Sequence, residues 1–232
     1  MKIFYLFFLI TSLSYSQKNS LTIEYQLFVN EEAIPNKNYY LDKLIEDAQD
    51  LLFYYKTDGK ISELYLEEEG TQHVEIPLKV MAGITEPYFY MLNNYYKPSP
   101  SMIVVEKGKY LIVNKLPDQI WDITNETKEI SGYIAYKAIL KNSGTKYNFP
   151  TTVWFTPDIP FKTNFKNYNG LPGVILEVHE EYIAFAASKI DFINQIDIKI
   201  PELPQITPEQ FKEEFDKIKN EYPELFPKNI FK

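Results

Sequence analysis

Hydrophobic side chains occupy every second position of the segment Leu21–Val29, and the polar residues Thr22, Glu24 and Gln26 lie between them. A period of two is that of a β-strand with one buried and one exposed side. Further along the chain, short apolar runs follow one another closely, and turn signals such as Asp58-Gly59 separate them. An Asp-Gly pair between two such runs is typical of a hairpin. The pattern predicts a mainly β (α+β) fold built on one large antiparallel sheet, curved or shaped as a half-open barrel.

Two segments carry helical periodicity instead. Along Tyr39–Leu52, apolar residues recur at spacings of three and four, which predicts one internal helix. Near the C-terminus, Thr207 and Pro208 are a typical N-cap residue and first helical residue, and Gln210 follows three positions after the cap. This arrangement predicts a C-terminal helix over about residues 208–221.

The first sixteen residues predict export from the cytoplasm. Lys2 precedes the apolar run Ile3–Ile10, and Ser14 and Ser16 occupy the −3 and −1 positions of a cut before Gln17. A buried N-terminal strand or helix is the alternative, but it does not explain this order of charge, apolar run and small residues. A bilayer-spanning helix needs about twenty apolar residues, so no transmembrane segment is predicted.

Composition narrows the classes of partner. Removal of residues 1–16 would leave residues 17–232, a length that suits a single domain. The formal net charge of the 232 residues is −8, which disfavours nucleic acid as a partner. Cysteine is absent, which excludes disulfides and lipid attachment at a cysteine. No cofactor is predicted.

Short motifs follow one another in order between residues 121 and 177. They are Trp121-Asp122-Ile123-Thr124, Glu126-Thr127-Lys128, Gly132-Tyr133, Lys137-Ala138, Trp154-Phe155-Thr156-Pro157-Asp158-Ile159-Pro160 and Gly170-Leu171-Pro172-Gly173-Val174-Ile175. Together they resemble the GLPGLI family of exported bacterial proteins. Two positions depart from the family pattern, because Ala135 stands where Cys is frequent and Asn164-Phe165 where Gly-Pro is frequent.

The resemblance implies an exported protein of unassigned activity, often associated in genomes with outer-membrane transport components. It supplies no catalytic residues. By analogy, it implies a curved sheet similar to that of bacterial lipoprotein carriers.

The motif Gly170-Leu171-Pro172-Gly173 is a turn of fixed geometry. Pro172 locks its own φ and pushes Leu171 toward an extended conformation, while a glycine permits positive φ or close backbone approach. The first interpretation is a rigid turn that begins a buried strand. The alternative is a loop that faces a ligand or partner.

Aromatic side chains are the candidates for a ligand or partner surface. They are Tyr88, Tyr90, Tyr95, Tyr96, Trp121 and Trp154. Tyrosine combines an apolar ring with a polar tip, which suits both half-buried walls and interfaces. Core packing is the simpler alternative for these residues.

Candidate chemistry is sparse. His73 and His179 are the two histidines, and neither lies in the spacing of a zinc enzyme, so no metal site is predicted. No Gly-x-Ser-x-Gly motif of a hydrolase is present. The sequence therefore predicts no catalytic residues.

The leading hypothesis is a non-catalytic periplasmic binding or accessory protein of the cell envelope, holding an apolar ligand or peptide on an aromatic-lined curved sheet. The alternative is an accessory subunit of an outer-membrane transport complex that binds no small ligand. A hydrolase is the third hypothesis.

Overall fold

The computed structural model of the chain describes residues 19–33, 39–67, 76–100, 108–141 and 151–223. The predicted export signal and the cut before Gln17 lie outside these residues. The described helices are α1 (Tyr39–Gln49), α2 (Ile76–Ala82) and α3 (Pro208–Glu221), with a single 3-10 turn at Glu31–Ala33. The described strands are β1 (Ser20–Val29), β2 (Leu52–Thr57), β3 (Ile61–Leu66), β4 (Tyr88–Met91), β5 (Asn94–Pro98), β6 (Leu111–Lys115), β7 (Trp121–Ile130), β8 (Tyr133–Leu140), β9 (Thr152–Thr156), β10 (Val174–His179), β11 (Ile183–Ile193) and β12 (Gln205–Ile206).

All of these strands belong to one sheet, in the order β12-β6-β5-β4-β3-β2-β1-β11-β10-β9-β8-β7. Neighbouring strands pair antiparallel, except for the parallel pair of β12 with β6. β1 lies near the centre, between β2 and β11, and hairpins extend the sheet on both sides. Within the described residues no pairing joins β12 to β7, so the sheet is open. The prediction of a mainly β fold with a large curved antiparallel sheet is confirmed.

Both edge strands are poor templates for pairing with another chain. β12 contains only Gln205 and Ile206. β7 is bulged, because its register with β8 shifts between Ile123 and Thr127. Short or bulged edges limit edge-to-edge association of sheets. Partners are therefore expected to meet a face of the sheet.

One face of the sheet, here called the core face, carries the main hydrophobic core. The alternating side chains Leu21, Ile23, Tyr25 and Leu27 of β1 are buried on it, as the period-two pattern predicted. The helices α1 and α2 contribute to the same cluster, for example through Leu78 of α2. The opposite face, here called the reverse face, is covered near β5 and β6 by apolar residues of the segment 194–204.

Aromatic rings fill the centre of the core face. Phe165 lies between Tyr25 and Phe185, at ring-centroid distances of 5.0 and 4.9 Å. The hydroxyl of Tyr25 donates a hydrogen bond to the carbonyl oxygen of Ile175 over 2.5 Å. Each aromatic pair adds about 0.5–1.5 kcal/mol beyond simple burial of its area. Rings and their hydrogen bonds thus stabilise a chain that has no disulfide.

The helices differ in how well they were predicted. The internal helix is confirmed but ends at Gln49, because Leu52 pairs with Gln26 as the first residue of β2. α2 was not predicted. At the start of α3, Gln210 N–H donates to the Thr207 hydroxyl and Thr207 N–H donates to the Gln210 side chain, so the predicted cap is confirmed. None of the described helices is long and apolar enough to cross a membrane.

Candidate functional site

The motif turn Gly170–Gly173 leads directly into β10 and is fixed by packing. Leu171 is 3% exposed. A Cβ atom on Gly173 would lie 2.1 Å from the backbone oxygen of Thr156, so only glycine fits there. Close backbone approach, and not positive φ, is therefore the requirement at Gly173. Positive φ occurs at Gly170, where φ is 81°.

Trp121 anchors the chain just before this turn. Its indole Nε1–H donates a hydrogen bond to the carbonyl oxygen of Asn169 over 2.8 Å. The amide N–H of Asn169 donates to Oε1 of Gln119, also over 2.8 Å. The Trp121 ring meets the Tyr168 ring edge-on at a centroid distance of 6.4 Å. These contacts give Trp121 a positioning role for the motif turn.

Trp154 lies on the reverse face beneath two lysines. Nζ of Lys128 lies 4.4 Å from the centre of the Trp154 ring, and Nζ of Lys137 lies 6.0 Å from it. Each lysine also has a carboxylate partner, Glu177 for Lys128 at 2.6 Å and Glu126 for Lys137 at 3.0 Å. The charged residues of the family-like motifs therefore converge on this indole, although they lie far apart in sequence.

Glu177 is the buried member of this group. Burial raises the pKa of its carboxyl, but hydrogen bonds from His179 and Lys128 outweigh burial and hold the pKa below its usual value. His179 contacts Glu177 through Nε2 on the same strand. In the described ranges, no group of three or more His, Cys, Asp and Glu side chains could hold a metal ion. His73 lies outside the described residues.

The four candidate tyrosines do not share one surface. Tyr88, Tyr90 and Tyr95 project to the core face, where Tyr90 is only 2% exposed and Tyr95 is half-buried. Tyr96 projects to the reverse face and packs with Phe89 and Leu111. Tyr88, Tyr90 and Tyr96 are core residues and offer little surface to a ligand or partner, whereas Tyr95 stays partly accessible.

A polar network continues from these tyrosines. The hydroxyl of Tyr90 donates to the backbone oxygen of Lys166 over 3.0 Å. Nζ of Lys166 lies 2.7 Å from Glu180, whose Oε1 also accepts a hydrogen bond of 2.8 Å from the Tyr168 hydroxyl. Burial, and then the charge of Glu180, raise the pKa of Tyr168. The network links Tyr90 to Tyr168, and Tyr168 in turn contacts Trp121.

Lys97 was not singled out by the sequence, yet it has the most unusual environment. Its Nζ lies 4.0 Å from the centre of the Tyr88 ring. Burial lowers the pKa of Lys97 to about 8, with Glu86 raising it and Lys166 lowering it further. Lys97 forms no ion pair with a carboxylate among the described residues. The only sequence signal for this site is the lysine two positions after Tyr95, on the same side of an aromatic strand.

The core face opens toward solvent around Lys97. From Leu21 to Leu27 the core-face side chains of β1 are fully buried, whereas on β5 and β6 they are half-buried. The half-buried group consists of Tyr95 and Lys97 with their cross-strand partners Asn114 and Ile112. We name these four residues the β5–β6 shelf. It combines apolar surface, an amide and an amine, which is the composition of a ligand-binding surface.

Comparisons with known proteins place the fold but not an activity. A family model described as "Protein of unknown function (Porph_ging)" matches residues 144–177, which include Trp154 and the motif turn. No curated protein sequence matches the chain.

Two solved structures of PNGF-II are similar to the chain. The one in space group C2 has a TM-score of 0.53 and 16% identity, and covers 85% of this chain and 33% of that chain. The one in P21 has a TM-score of 0.53 and 17% identity, and covers 84% and 32%. The chain thus spans about a third of the length of PNGF-II. At this identity the likeness shows a shared fold.

A LolA superfamily protein from Nitrosomonas europaea, NE2245, aligns with 80% of this chain and 89% of that chain at 9% identity. Its TM-score of 0.28 is too low to support an argument.

Proposed function

We propose that the chain is an exported, non-catalytic binding protein of the bacterial cell envelope, that it works in the periplasm, and that it belongs to the GLPGLI group. Its ligand is an apolar molecule or peptide, bound on the β5–β6 shelf. The order of the signature motifs between residues 121 and 177 supports membership. Trp121, Trp154 and Gly173 of these motifs each have a defined structural partner. In this proposal the motifs have a structural role, and the β5–β6 shelf binds the ligand.

The observation that carries this proposal is the environment of Lys97. A half-buried amine without a paired carboxylate is costly to maintain, and such groups concentrate at functional sites. Ile112 and Tyr95 supply apolar surface beside this amine, at the point where the core face is open. A ligand with an apolar body and an acceptor group would cover the surface and complete the hydrogen bonding of the amine.

Calorimetric titration with dodecanoate tests this proposal, because dodecanoate has an apolar chain and one carboxylate. Ile112→Ser should weaken binding about tenfold, since it removes buried apolar contact, and Lys97→Met should weaken it as well. Lys115→Met is the matched control on β6, because Lys115 is exposed. No measurable binding by the wild type, or equal binding by all variants, would overturn the shelf as the site.

A second candidate function is an accessory subunit of an outer-membrane transport complex. It is favoured by exposed apolar residues on one side of the β7–β8 hairpin, namely Ile123, Ile134 and Tyr136. Ile123 pairs with Ala138, and alternation along β8 places Tyr136 and Ile134 on the same side as Ala138.

Capture from solubilised outer membranes tests this second function. Ile134→Lys should abolish recovery of the transport component, since a charge would enter an apolar interface. Leu92→Lys is the matched control, because Leu92 is 86% exposed on the distant β4–β5 turn. Equal recovery with both variants would exclude the hairpin as the contact surface.

A further inference from the structure

The motif turn and the segment before it enclose an open pocket with a volume of about 250 Å³. Its apolar walls are Pro157, Ile159, Pro160, Phe161 and Pro172. Gly173 and Lys162 complete the lining. All of these residues fall within the stretch that matches the family model, and the pocket lies apart from the β5–β6 shelf.

Backbone geometry and close packing restrict the walls of this pocket. Each proline has a fixed φ. The missing side chain at Gly173 lets the turn approach Thr156 and Pro157 too closely for any other residue. The amide N–H of Thr163 donates to the carbonyl oxygen of Gly173 over 3.3 Å, which ties the two walls together. Such preorganisation lowers the entropy that is lost on binding.

Packing of the core does not require the outer part of this pocket. Ile159 and Leu171 are buried and account for the attachment of the segment to the core. Pro157, Pro160 and Pro172 are exposed, and Phe161 is half-buried beside them. The exposed prolines therefore present a shaped apolar surface to solvent.

The size and charge of the pocket select its occupant. The volume lies below the roughly 300–1,000 Å³ typical of sites for drug-sized ligands, so it suits a single side chain. Proline and phenylalanine walls favour an aromatic ring. Lys162 is exposed and has no ion pair within the described part of the chain, so it attracts an anion. A C-terminal aromatic residue carries both a ring and a carboxylate within one residue, and so it matches the size and the charge of this pocket.

We propose that this pocket docks the C-terminal aromatic residue of a partner protein, with the ring against the prolines and Phe161 and the terminal carboxylate at Lys162. The proposal goes beyond ligand binding on the shelf. It concerns a different surface, so either can fail without the other.

Nuclear magnetic resonance titration of the ¹⁵N-labelled protein tests the proposal, with acetyl-Gly-Gly-Phe carrying a free carboxylate as the probe. The amides of Phe161, Lys162 and Gly173 report on the pocket. We expect saturable shifts of these amides, with a dissociation constant on the order of 1 mM for so small a ligand. The same peptide with a C-terminal amide should bind about two- to fivefold more weakly, as expected for loss of an exposed ion pair.

Two lysine variants distinguish binding in the pocket from a general effect of removing one positive charge. Lys162→Met should weaken the free-acid peptide to the level of the amide peptide. Lys212→Met on α3 should leave its affinity unchanged, because Lys212 is exposed and remote in sequence from the pocket. Absence of saturable shifts at the three reporter amides would overturn the proposal. Equal affinity for acid and amide, or equal weakening by both variants, would also overturn it.

Discussion

Two lysines of this protein lie over aromatic rings at similar distances, 4.4 Å for Lys128 over Trp154 and 4.0 Å for Lys97 over Tyr88. They differ in their counter-charge. Lys128 has Glu177 at 2.6 Å, whereas Lys97 has no carboxylate partner among the described residues. The ring contact alone is worth about 0.5–2 kcal/mol and does not offset the burial of an unpaired charge.

The difference separates a structural site from a binding site. At Trp154, the protein supplies both charges, and the pair links β7 to β10 across β8 and β9. At Tyr88, no carboxylate of the described residues forms an ion pair with Lys97, and burial lowers the pKa of Lys97 to about 8, because the charge of Glu86 offsets burial only in part. Lys128 is neutralised by Glu177 and needs no ligand. Lys97 lacks such an ion pair, so a ligand with an acceptor group would stabilise it.

The largest expected effect on stability concerns the motif turn, which belongs to the same family-like segment as Trp154. Gly173→Ala places a Cβ atom 2.1 Å from the Thr156 oxygen, so the backbone must move. We expect a loss of about 3 kcal/mol or more in the free energy of unfolding, at the upper end of overpacking effects. Urea denaturation midpoints measure it. Gly170→Ala is the matched control: its φ is 81° but the space around it is open, so it should cost only about 1–2 kcal/mol. Similar costs for both variants would contradict close packing of the turn.

The second prediction tests the two lysines directly, because their replacements should have opposite signs. At pH 7, Lys97→Met should raise the free energy of unfolding by about 1–2 kcal/mol, since it removes a desolvated charge. Lys128→Met should lower it by about 1 kcal/mol, since it removes a ring contact and leaves Glu177 without its lysine. Thermal or urea unfolding of both variants measures these changes. If both substitutions change the free energy of unfolding in the same direction, the proposed difference between the two lysines is wrong.

The pH dependence of the stability of Lys97→Met provides a control for this prediction. Lys97 has a pKa of about 8 in the folded protein, below its usual 10.5, so the unfolded chain binds more protons between these values. This group therefore makes stability rise with pH from about 8 toward 10.5. Above pH 10 the raised pKa values of buried tyrosines such as Tyr25 and Tyr90 act in the opposite direction. Lys97→Met should remove the rise between pH 8 and 10, and its persistence would show that another group causes it.

Local patterns of sequence predicted the parts of the fold that depend on neighbours in the chain. Alternation predicted β1, Asp58-Gly59 predicted the β2–β3 hairpin, and Thr207 with Gln210 predicted the start of α3. The end of α1 was missed, because the periodicity continues through Leu52 while pairing with β1 takes Leu52 into β2. Tertiary pairing overrides local propensity at such boundaries.

The candidate sites depended on contacts that no local pattern contains. Tyr90 and Lys166 lie 76 positions apart in sequence, and Lys128 and Glu177 lie 49 apart. Tyr95 and Tyr96 are adjacent in sequence yet belong to opposite faces of the sheet, so a cluster of aromatic residues in the sequence did not define one surface. The family-like motifs did indicate the right segment, since their residues meet around Trp154 and Gly173. They gave no indication of Lys97.

The smallest expected effect concerns Glu177, the carboxylate that makes the Trp154 site self-sufficient. Its pKa is below the usual 4.5, so its contribution to stability is present above that pH and is lost as the pH falls through the folded-state value. Glu177→Gln should lower the free energy of unfolding by somewhat under about 1 kcal/mol at pH 7, since the amide still accepts hydrogen bonds from Lys128 and His179. It should also flatten the decline in stability below pH 4.5. Urea unfolding between pH 3 and 7 measures both effects. Glu126→Gln is the matched control, because its carboxylate is 60% exposed and pairs with Lys137 at the surface, where ion pairs contribute little. If the free energy of unfolding of Glu177→Gln falls below pH 4.5 as steeply as that of the wild type, the Lys128–Glu177 pair does not stabilise the fold. The proposed difference between Lys128 and Lys97 would then be wrong.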